Sequence, residues 1–463
     1  MYTYQDYLKV PNNDRDRMEF VKNAIYDHKN SDVYKDAMIA QEYFAFKNVT
    51  IMEYQKLLYT VTGKAIPDNY SANYKLRSNF FHRFVTQENQ YLLSNGVSWN
   101  NDATEEQLGT SVKSFDSQLQ KAALKALIGA VSFGFWNNDH IDVFGVNEFV
   151  PIPDEDNGAL MLGIRFWQLN PLKPLRATFY EIDGYTDYIW RGDGEGEILN
   201  PKRAYKVAVR TSEADGTEIY DYSNYESFPI VPLWGNPNRQ SELIGLRENI
   251  DAYDLIKSGF ANTVDEASYI YWAIQNAGGM DDVDLANFVE RMKTLHAAHL
   301  EDANARAEAH TIEAPYQSRE ALLQRLRSDL YDDAMALDTK NIADGAITAT
   351  QIKAAYEPLN SKVDQFEYCV IEFIRGILEI AGIDDEPTFT RAMIINVQEE
   401  IQTILSAGTY LESGYVTEKI LTLLGDGDKA ADMINEIDAN ELRMIGFGGE
   451  EGETNGEADN YTE

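Results

Sequence analysis

Apolar residues recur every three or four positions along most of the first 130 residues, which is the spacing of amphipathic helices. DRDRMEFVKNAIYDH (14–28) and SDVYKDAMIAQEYFAF (31–46) predict two helices of mixed charge. NYKLRSNFFHRFVTQENQYLLSNG (73–96) predicts a longer one that stops at Asn95-Gly96, a suitable C-cap. A further helix is expected over about 111–129, with Val112, Phe115, Leu119, Ala122 and Ala126 on one face.

From 130 to 235 the period shortens. VSFGFW and IDVFGV read as strands around the polar turn NNDH. RATFYEI-DG-YTDYIW (176–190) carries the clearest hairpin pattern, because Asp-Gly suits the type I′ turn that matches strand twist. AYKVAVR and TEIYDYS predict another hairpin, and FPIVPLWGNPN closes the region with prolines that forbid helix.

Three long helical stripes follow. From Leu246, apolar or small residues recur at Ile250, Tyr253, Ile256, Phe260, Val264, Ala267, Tyr271 and Ile274, a stripe of about 42 Å at helical rise. A second runs Leu323, Leu326, Leu330, Ala334, Leu337. A third runs Ile352, Ala355, Leu359, Val363, Phe366, Val370, Phe373, Ile377, Ile380, and its second half is apolar almost all round, which predicts deep burial. Pro358 removes one backbone donor from this third helix and predicts a kink near Ala354–Pro358. Residues 271–316 form a small subdomain between the first two stripes, 388–445 another helical unit, and GGEEGETNGEADNYTE (448–463) an acidic tail expected to be disordered.

A chain of 463 residues exceeds one compact core and predicts two to four domains. Its single cysteine, Cys369, excludes a disulfide framework within the chain, fits a reducing compartment, and lies in an apolar run where packing is the expected role. The N-terminus has no basic start followed by an apolar stretch, so a secretory signal is not expected, and no window reaches the length of a membrane span. Net charge is −36, spread unevenly: residues 1–70 carry ten acids and nine bases, whereas 382–463 carry nineteen acids and four bases. Such a surface argues against tight nucleic-acid binding through counterion release, though not against a protein that lets DNA pass without gripping it.

Candidate chemistry is sparse. His296 and His299 stand at i, i+3 near His310, but no cysteine accompanies them and surface histidines are expected. LGDGDKAADMINE (424–436) fails the calcium-loop pattern at Ala430 and Ala431. RGDGEGE (191–197) reads as a solvated loop between β-segments. Phosphate-binding, nucleophile-elbow, zinc-protease and dinucleotide motifs are all missing, so no metal, no cofactor and no catalytic residue is expected.

The order of elements, with several local stretches, resembles the portal proteins of tailed bacteriophages, in particular those of long-tailed phages of Gram-positive bacteria. The stretches are ENQYLLSNGVSW (88–99), FPIVPLWGNPN (228–238), ENIDAYDLIKSGFANTVDEA (248–267), IADGAITATQIKAAYEPLNSKVDQFE (342–367) and SAGTYLESGYVTEKILTLLGDGDKAADMINEI (406–437). The helix at 248–267, with its Ile-Asp-Ala-Tyr-Asp…Ser…Asn pattern, is the most specific. One departure is Asp344-Gly345-Ala346-Ile347, where many relatives have Ser-Gly before the helix.

The resemblance implies an α+β chain, mainly α, with the portal fold: a β-rich wing, a two-helix stem, a small clip, a long kinked wing helix and a helical crown. The N-terminal and wing region would span 1–244, helical to 130 and β-rich over 131–235. The stem helices would be 245–270 and 317–338, the clip 271–316, the tunnel loop 339–349, the wing helix 350–382 and the crown 383–447. It also implies a homo-dodecameric ring at one capsid vertex of the virion, assembled in the host cytoplasm, with double-stranded DNA packaged and ejected through its channel. Implied partners are the terminase large subunit, head-tail adaptor, major capsid and scaffolding proteins, with no membrane and no catalysis. Asp338, Lys340, Asn341, Asp344 and Gly345 would face the DNA, Lys340 meeting phosphates transiently while the aspartates repel them. Ile250, Tyr253, Phe260 and Val264 would be the seam of the first stem helix. The competing reading is a non-enzymatic helical scaffold or connector of another kind.

Overall fold

The computed structural model describes residues 2–60, 62–69, 71–109, 113–192, 194, 196–211, 218–267, 271–275, 281, 283–284, 286–288, 290, 306–310, 316–340, 349–392, 397–408, 410–411 and 413–424. The chain divides into two compact units, Met1–Leu337 with Pro358–Ala392, and Asp338–Glu357 with Met393–Glu463. It is a mixed α+β protein.

The first unit opens with helices α1 (Tyr4–Leu8), α2 (Asp14–Asn30), α3 (Asp32–Phe44) and α4 (Val49–Glu53). Asn13 and Ser31 cap α2 and α3, each accepting a backbone N–H from the first turn. A small hairpin, β1 (Leu57–Tyr59) and β2 (Ala65–Pro67), then interrupts the helical region. After α5 (Phe80–Leu93) come β3 (Val97–Ser98), α6 (Asp102–Gln107) and α7 (Phe115–Gly129). The run from 73 is therefore not one helix: residues 74–78 are extended and α5 starts at Phe80. Its end is as expected, with Gly96 at φ 76°.

Two antiparallel sheets make up the middle. One has order β13-β4-β5, from β4 (Val131–Trp136), β5 (Ile141–Gly145) and β13 (Ile230–Trp234). Pro232 is tolerated because β13 is an edge strand. The other has order β10-β9-β8-β7-β6, from β6 (Phe149–Pro153), β7 (Leu160–Trp167), β8 (Leu175–Glu181), β9 (Gly184–Trp190) and β10 (Gly196–Arg203). β8 and β9 form the expected hairpin with a shifted turn: Glu181 pairs with Gly184, so Ile182-Asp183 is the loop. Gly184, at φ 139°, stands where a Cβ would lie 2.4 Å from the Arg203 carbonyl. β11 (Lys206–Thr211) and β12 (Glu218–Ser223) pair as a separate ribbon. One core cluster lies where Phe20, Val21, Ala24 and Ile25 of α2 meet Ile152, Ile164, Phe179 and Trp190 of the larger sheet.

Helix α8 (Arg247–Ala267) packs against α9 (Tyr316–Asp333). The spacing that continued to Ile274 misleads beyond Ala267. Tyr271–Gln275 is strand β14, paired antiparallel with β15 (Arg306–His310), because Tyr-Trp-Ala-Ile satisfies both periods and favours the extended one. His310 lies on β15, whereas His296 and His299 fall outside the described residues.

Helix α10 (Ala349–Ala381) runs unbroken through Pro358, and the boundary between the units falls between Glu357 and Pro358. Leu359, Val363, Phe366, Val370, Phe373 and Ile377 are all buried. Two glycines bring the helix onto the smaller sheet: a Cβ on Gly134 would lie 2.5 Å from the Phe373 ring, and one on Gly376 2.8 Å from Val231. Burial is one-sided, contrary to expectation, since Tyr368 is exposed and Arg375 pairs with Glu386 on the outer face. Cys369 is half-buried, and burial raises its thiol pKa. Strand β16 (Thr388–Phe389) pairs with β3. In the second unit α11 (Val397–Ala407) packs against α12 (Ser413–Leu424). The acidic tail and residues 425–437 lie outside the described residues.

Candidate functional site

Two features stand out: a face of α5 at the point where the second stripe ends and the third becomes buried, and a polar ladder along α8. The first is built on α5. Residues 83, 87 and 91 repeat at i, i+4, i+8 and so share one helical face, with Glu88 on its flank.

Arg83 donates to the Tyr331 hydroxyl at 2.5 Å, and the Phe84 ring meets Tyr331 edge-on at 5.2 Å. One helical turn later, Gln87 clasps the backbone of Leu337. Its Oε1 accepts from Leu337 N at 3.1 Å and its Nε2 donates to Leu337 O at 3.2 Å. Glu88 and Glu242 flank the Lys362 ammonium at 2.9 and 2.7 Å, and Lys362 also donates to the Ala334 carbonyl at 3.3 Å. Tyr91 completes the face, its hydroxyl donating to Asn360 Oδ1 at 2.6 Å. One helix thus holds the end of α9 and the α10 turns that follow Pro358.

The exit from α9 is itself shaped. Ala336 N donates to Tyr331 O at 3.0 Å and Met335 N to Asp332 O at 3.1 Å, the paired bonds of a Schellman cap. Met335 therefore adopts φ 51°, a left-handed position usually taken by glycine.

The charges at this point are enclosed. Glu88 is 1% exposed. Burial pushes its carboxyl up to about 7, with Lys362 opposing and Glu242 reinforcing the rise. Burial alone would lower the Lys362 ammonium, but Glu88 and Glu242 outweigh it and hold the group above its ordinary value. The ion pairs fix geometry, and Glu88, Glu242 and Lys362 line one wall of a solvent-connected cavity of about 450 Å³. Among the described residues, no group of three His, Cys, Asp or Glu side chains is placed to hold a metal. No helix among them is long and apolar enough to cross a membrane.

The second feature is a polar ladder along α8. Asp254, Ser258 and Asn262 stand at i, i+4, i+8 and are all buried. They accept from the backbone N–H groups of Ser78 (2.8 Å), Leu76 (2.9 Å) and Tyr74 (2.7 Å). The match is geometric: four helical residues rise about 6 Å and two extended residues about 6.6 Å. Asn48 also donates to Asp254, whose carboxyl burial raises against these hydrogen bonds. Asp251, on the flank, accepts from the Thr50 hydroxyl at 2.7 Å and from that of Tyr43.

Of the seam residues expected on α8, Ile250 is buried, Tyr253 meets Phe80 edge-on at 5.0 Å, and Phe260 meets Tyr316 at 5.7 Å. Val264 is 45% exposed. Lys340 is exposed and its N–H donates to Asp338 Oδ1 at 3.2 Å. Asn341, Asp344 and Gly345 lie outside the described residues. The ladder and the α5 face were not singled out in the sequence. Their available signal was the i, i+4 repeat of small or long polar side chains.

The match to known proteins spans this whole arrangement. Residues 7–440 match the family described as phage portal protein, SPP1 Gp6-like. The chain belongs to that family. It is 28% identical over 215 residues to the portal protein of Clostridium phage phiCD119, covering 44% of this chain and 47% of that one. It thus spans about half the length of that relative. Over 385 residues it is 21% identical to the portal protein of Bacillus phage SPP1, covering 77% of this chain and 74% of the other. Among solved structures it is similar to the neck of a native gene transfer agent particle, with a TM-score of 0.42 and 10% identity, over 74% of this chain and 89% of that one. The neck of an empty particle gives 0.45 and 11%, over 75% and 90%. The portal-family chain carries both the ladder and the α5 face within the matched residues.

Proposed function

We propose that twelve copies of this chain form a ring at one capsid vertex, through which double-stranded DNA is packaged and later ejected, and that the chain itself performs no catalysis. Family membership across residues 7–440 is the observation that carries the reading. In it, 1–244 supplies the wing, α8 and α9 the stem, 271–316 the clip, 339–349 the tunnel loop, α10 the wing helix and 383–447 the crown. The terminase large subunit and the head-tail adaptor dock on the ring, beside the major capsid and scaffolding proteins.

The α5 face supports the loop assignment. A collar that touches moving DNA must be short of grip yet held at its base. Gln87 fixes the residue just before the loop, and Lys362 and Asn360 fix the helix turns after Pro358. In this reading α10 kinks at Ala354–Pro358, which sets the course of the loop's second arm. Lys340 meets phosphates in passing, while Asp338 and Asp344 repel them, and the acidic surplus of the chain keeps DNA from sticking.

Lys340→Glu tests the loop role. The variant is expected to assemble rings as the parent does and to yield fewer packaged genomes in a reconstituted packaging reaction. An unchanged genome yield contradicts the role.

A further inference from the structure

The larger sheet carries an arginine without an acceptor. Arg165 of β7 stacks over the rings of Phe144 and Trp167, its Cζ 4.8 and 5.2 Å from their centroids. Its Nε–H is out of water and meets no acceptor among the described residues. Glu148 feels the guanidinium charge, but its own carboxylate is bound to Lys125 and to the Gly145 N–H. A guanidinium held on two rings and left without a carboxylate is one half of a charge-assisted pair.

The surroundings add positive charge and no free acid. Trp167 pairs with Arg176 and Arg165 with Thr178, so Arg165, Trp167 and Arg176 share one face of β7 and β8, opposite the α2 core. The acids that β9 and β10 bring to this face, Asp187 and Glu197, are taken by Arg203 and Arg191. Arg176, and Lys173 in the loop between β7 and β8, are exposed and have no carboxylate partner among the described residues. Three such bases together are out of character in a chain of net charge −36. The loop itself is braced from within. Gln168 donates to the Lys173 carbonyl at 2.8 Å, Lys173 N to the Asn170 carbonyl at 2.9 Å and Leu172 N to Asn170 Oδ1 at 3.0 Å. Held this way, Leu169 and Leu172 stand 86% and 95% exposed.

We propose that this end of the β7–β8 hairpin binds an acidic, leucine-bearing peptide segment of a partner protein, with a carboxylate on Arg165 and apolar side chains against Leu169 and Leu172. The unpaired bases set the sign of the partner, and the exposed leucines set its class. Nucleic acid answers the bases but leaves both leucines in water, so a peptide fits better. Arg165 is the specific element, because its planar fork takes a carboxylate through two parallel bonds and its stacking has already fixed the orientation. Arg176 and Lys173 add attraction at the rim, where charge governs the rate of encounter more than affinity. The site lies on one chain and does not depend on the ring.

Fluorescence anisotropy of the full chain with a labelled peptide of alternating leucine and glutamate tests the proposal. Saturable binding is expected, and it is expected to weaken about tenfold or more when glutamine replaces the peptide's glutamates. Arg165→Met, which keeps an unbranched side chain over the rings, is expected to weaken it to the same degree, and Arg165→Lys not to restore it, since an ammonium lacks the fork. Leu172→Ser alters a side chain that touches almost nothing, so it reads the surface even if an Arg165 variant misfolds; it too is expected to weaken binding. Absence of binding by the parent chain, or equal binding by Leu172→Ser and the parent, overturns the proposal. A DNA duplex that displaces the peptide, or self-association of the parent chain that Leu172→Ser abolishes, assigns the surface to another occupant and overturns it as well.

Discussion

Gln87 and Leu337 are bound through both halves of one side-chain amide, which accepts from the Leu337 N–H and donates to its carbonyl. An amide clasping a peptide in this way substitutes for a β-ladder partner and fixes the backbone where α9 has ended. The residue that follows, Asp338, begins the second compact unit. The clasp is therefore the last tie of the first unit before the chain leaves it.

Replacing Gln87 by Leu keeps the volume and removes both bonds. Leu337 is 6% exposed, so its N–H and carbonyl lose partners that water cannot fully replace. Hydrogen exchange at Leu337 is expected to accelerate by about tenfold or more, with α8 and α9 unchanged. Unaltered exchange at Leu337 argues that the clasp fixes nothing.

Lys362 neutralises the buried Glu88 and the half-buried Glu242, and the cost of losing it is asymmetric. Lys362→Met removes the counter-charge of the buried Glu88 and the half-buried Glu242, which is expected to destabilise the fold by about 3–5 kcal/mol. Adding Glu88→Leu to that variant removes one stranded charge and is expected to restore part of the loss. Thermal melts of the two variants decide it; equal midpoints would show that the charges do not interact.

Glu88 gives a pH dependence with a definite sign. Its folded value, about 7, lies above the ordinary 4.5, so the folded chain holds more protons between those values. Its contribution to stability is present below about 4.5 and is lost as pH rises through about 7. The difference in melting temperature between the parent and Glu88→Gln is expected to change across pH 5–8, with the parent losing ground as pH rises. A constant difference over that range contradicts the buried titration.

The ladder on α8 predicts a cost unrelated to apolar packing. Ser258→Ala removes little volume yet leaves the Leu76 N–H without its acceptor, an expected loss of about 1–3 kcal/mol by chemical denaturation. Asp254→Ala deprives both Ser78 and Asn48 and is expected to cost more. Exposed substitutions on the same helix, such as Glu248→Ala, are expected to stay within about 0.5 kcal/mol of the parent. If all three behave alike, the strap at 74–78 does not anchor the helix.

Local periodicity made much of this architecture legible. β4, β5, β8 and β9 fall where the short apolar runs and their turn residues placed them, and the stripe of α10 from Leu359 to Ile377 is buried as its spacing implied. What it could not convey is which polar groups are desolvated. Asp254, Ser258 and Asn262 look like the wet face of an amphipathic helix until an extended segment nearly two hundred residues away covers them. Lys362, between Leu359 and Val363, reads as a charge at the rim of a stripe, and only Glu88 and Glu242 make it a buried tie. The strand at Tyr271–Gln275 was hidden for another reason: aromatic and β-branched residues satisfy a helical period by accident when only a few steps are available. The family pattern at 248–267 contained the ladder residues all along, since its Asp, Ser and Asn are Asp254, Ser258 and Asn262.

The ring is best tested by imaging the purified full chain along its symmetry axis by electron cryomicroscopy. The account predicts a closed ring of about twelve copies, with α8 and α9 around a central opening and the connection from Asp338 to Ala349 pointing into it. Single chains or dimers, or a ring whose opening is lined by other segments, would contradict it.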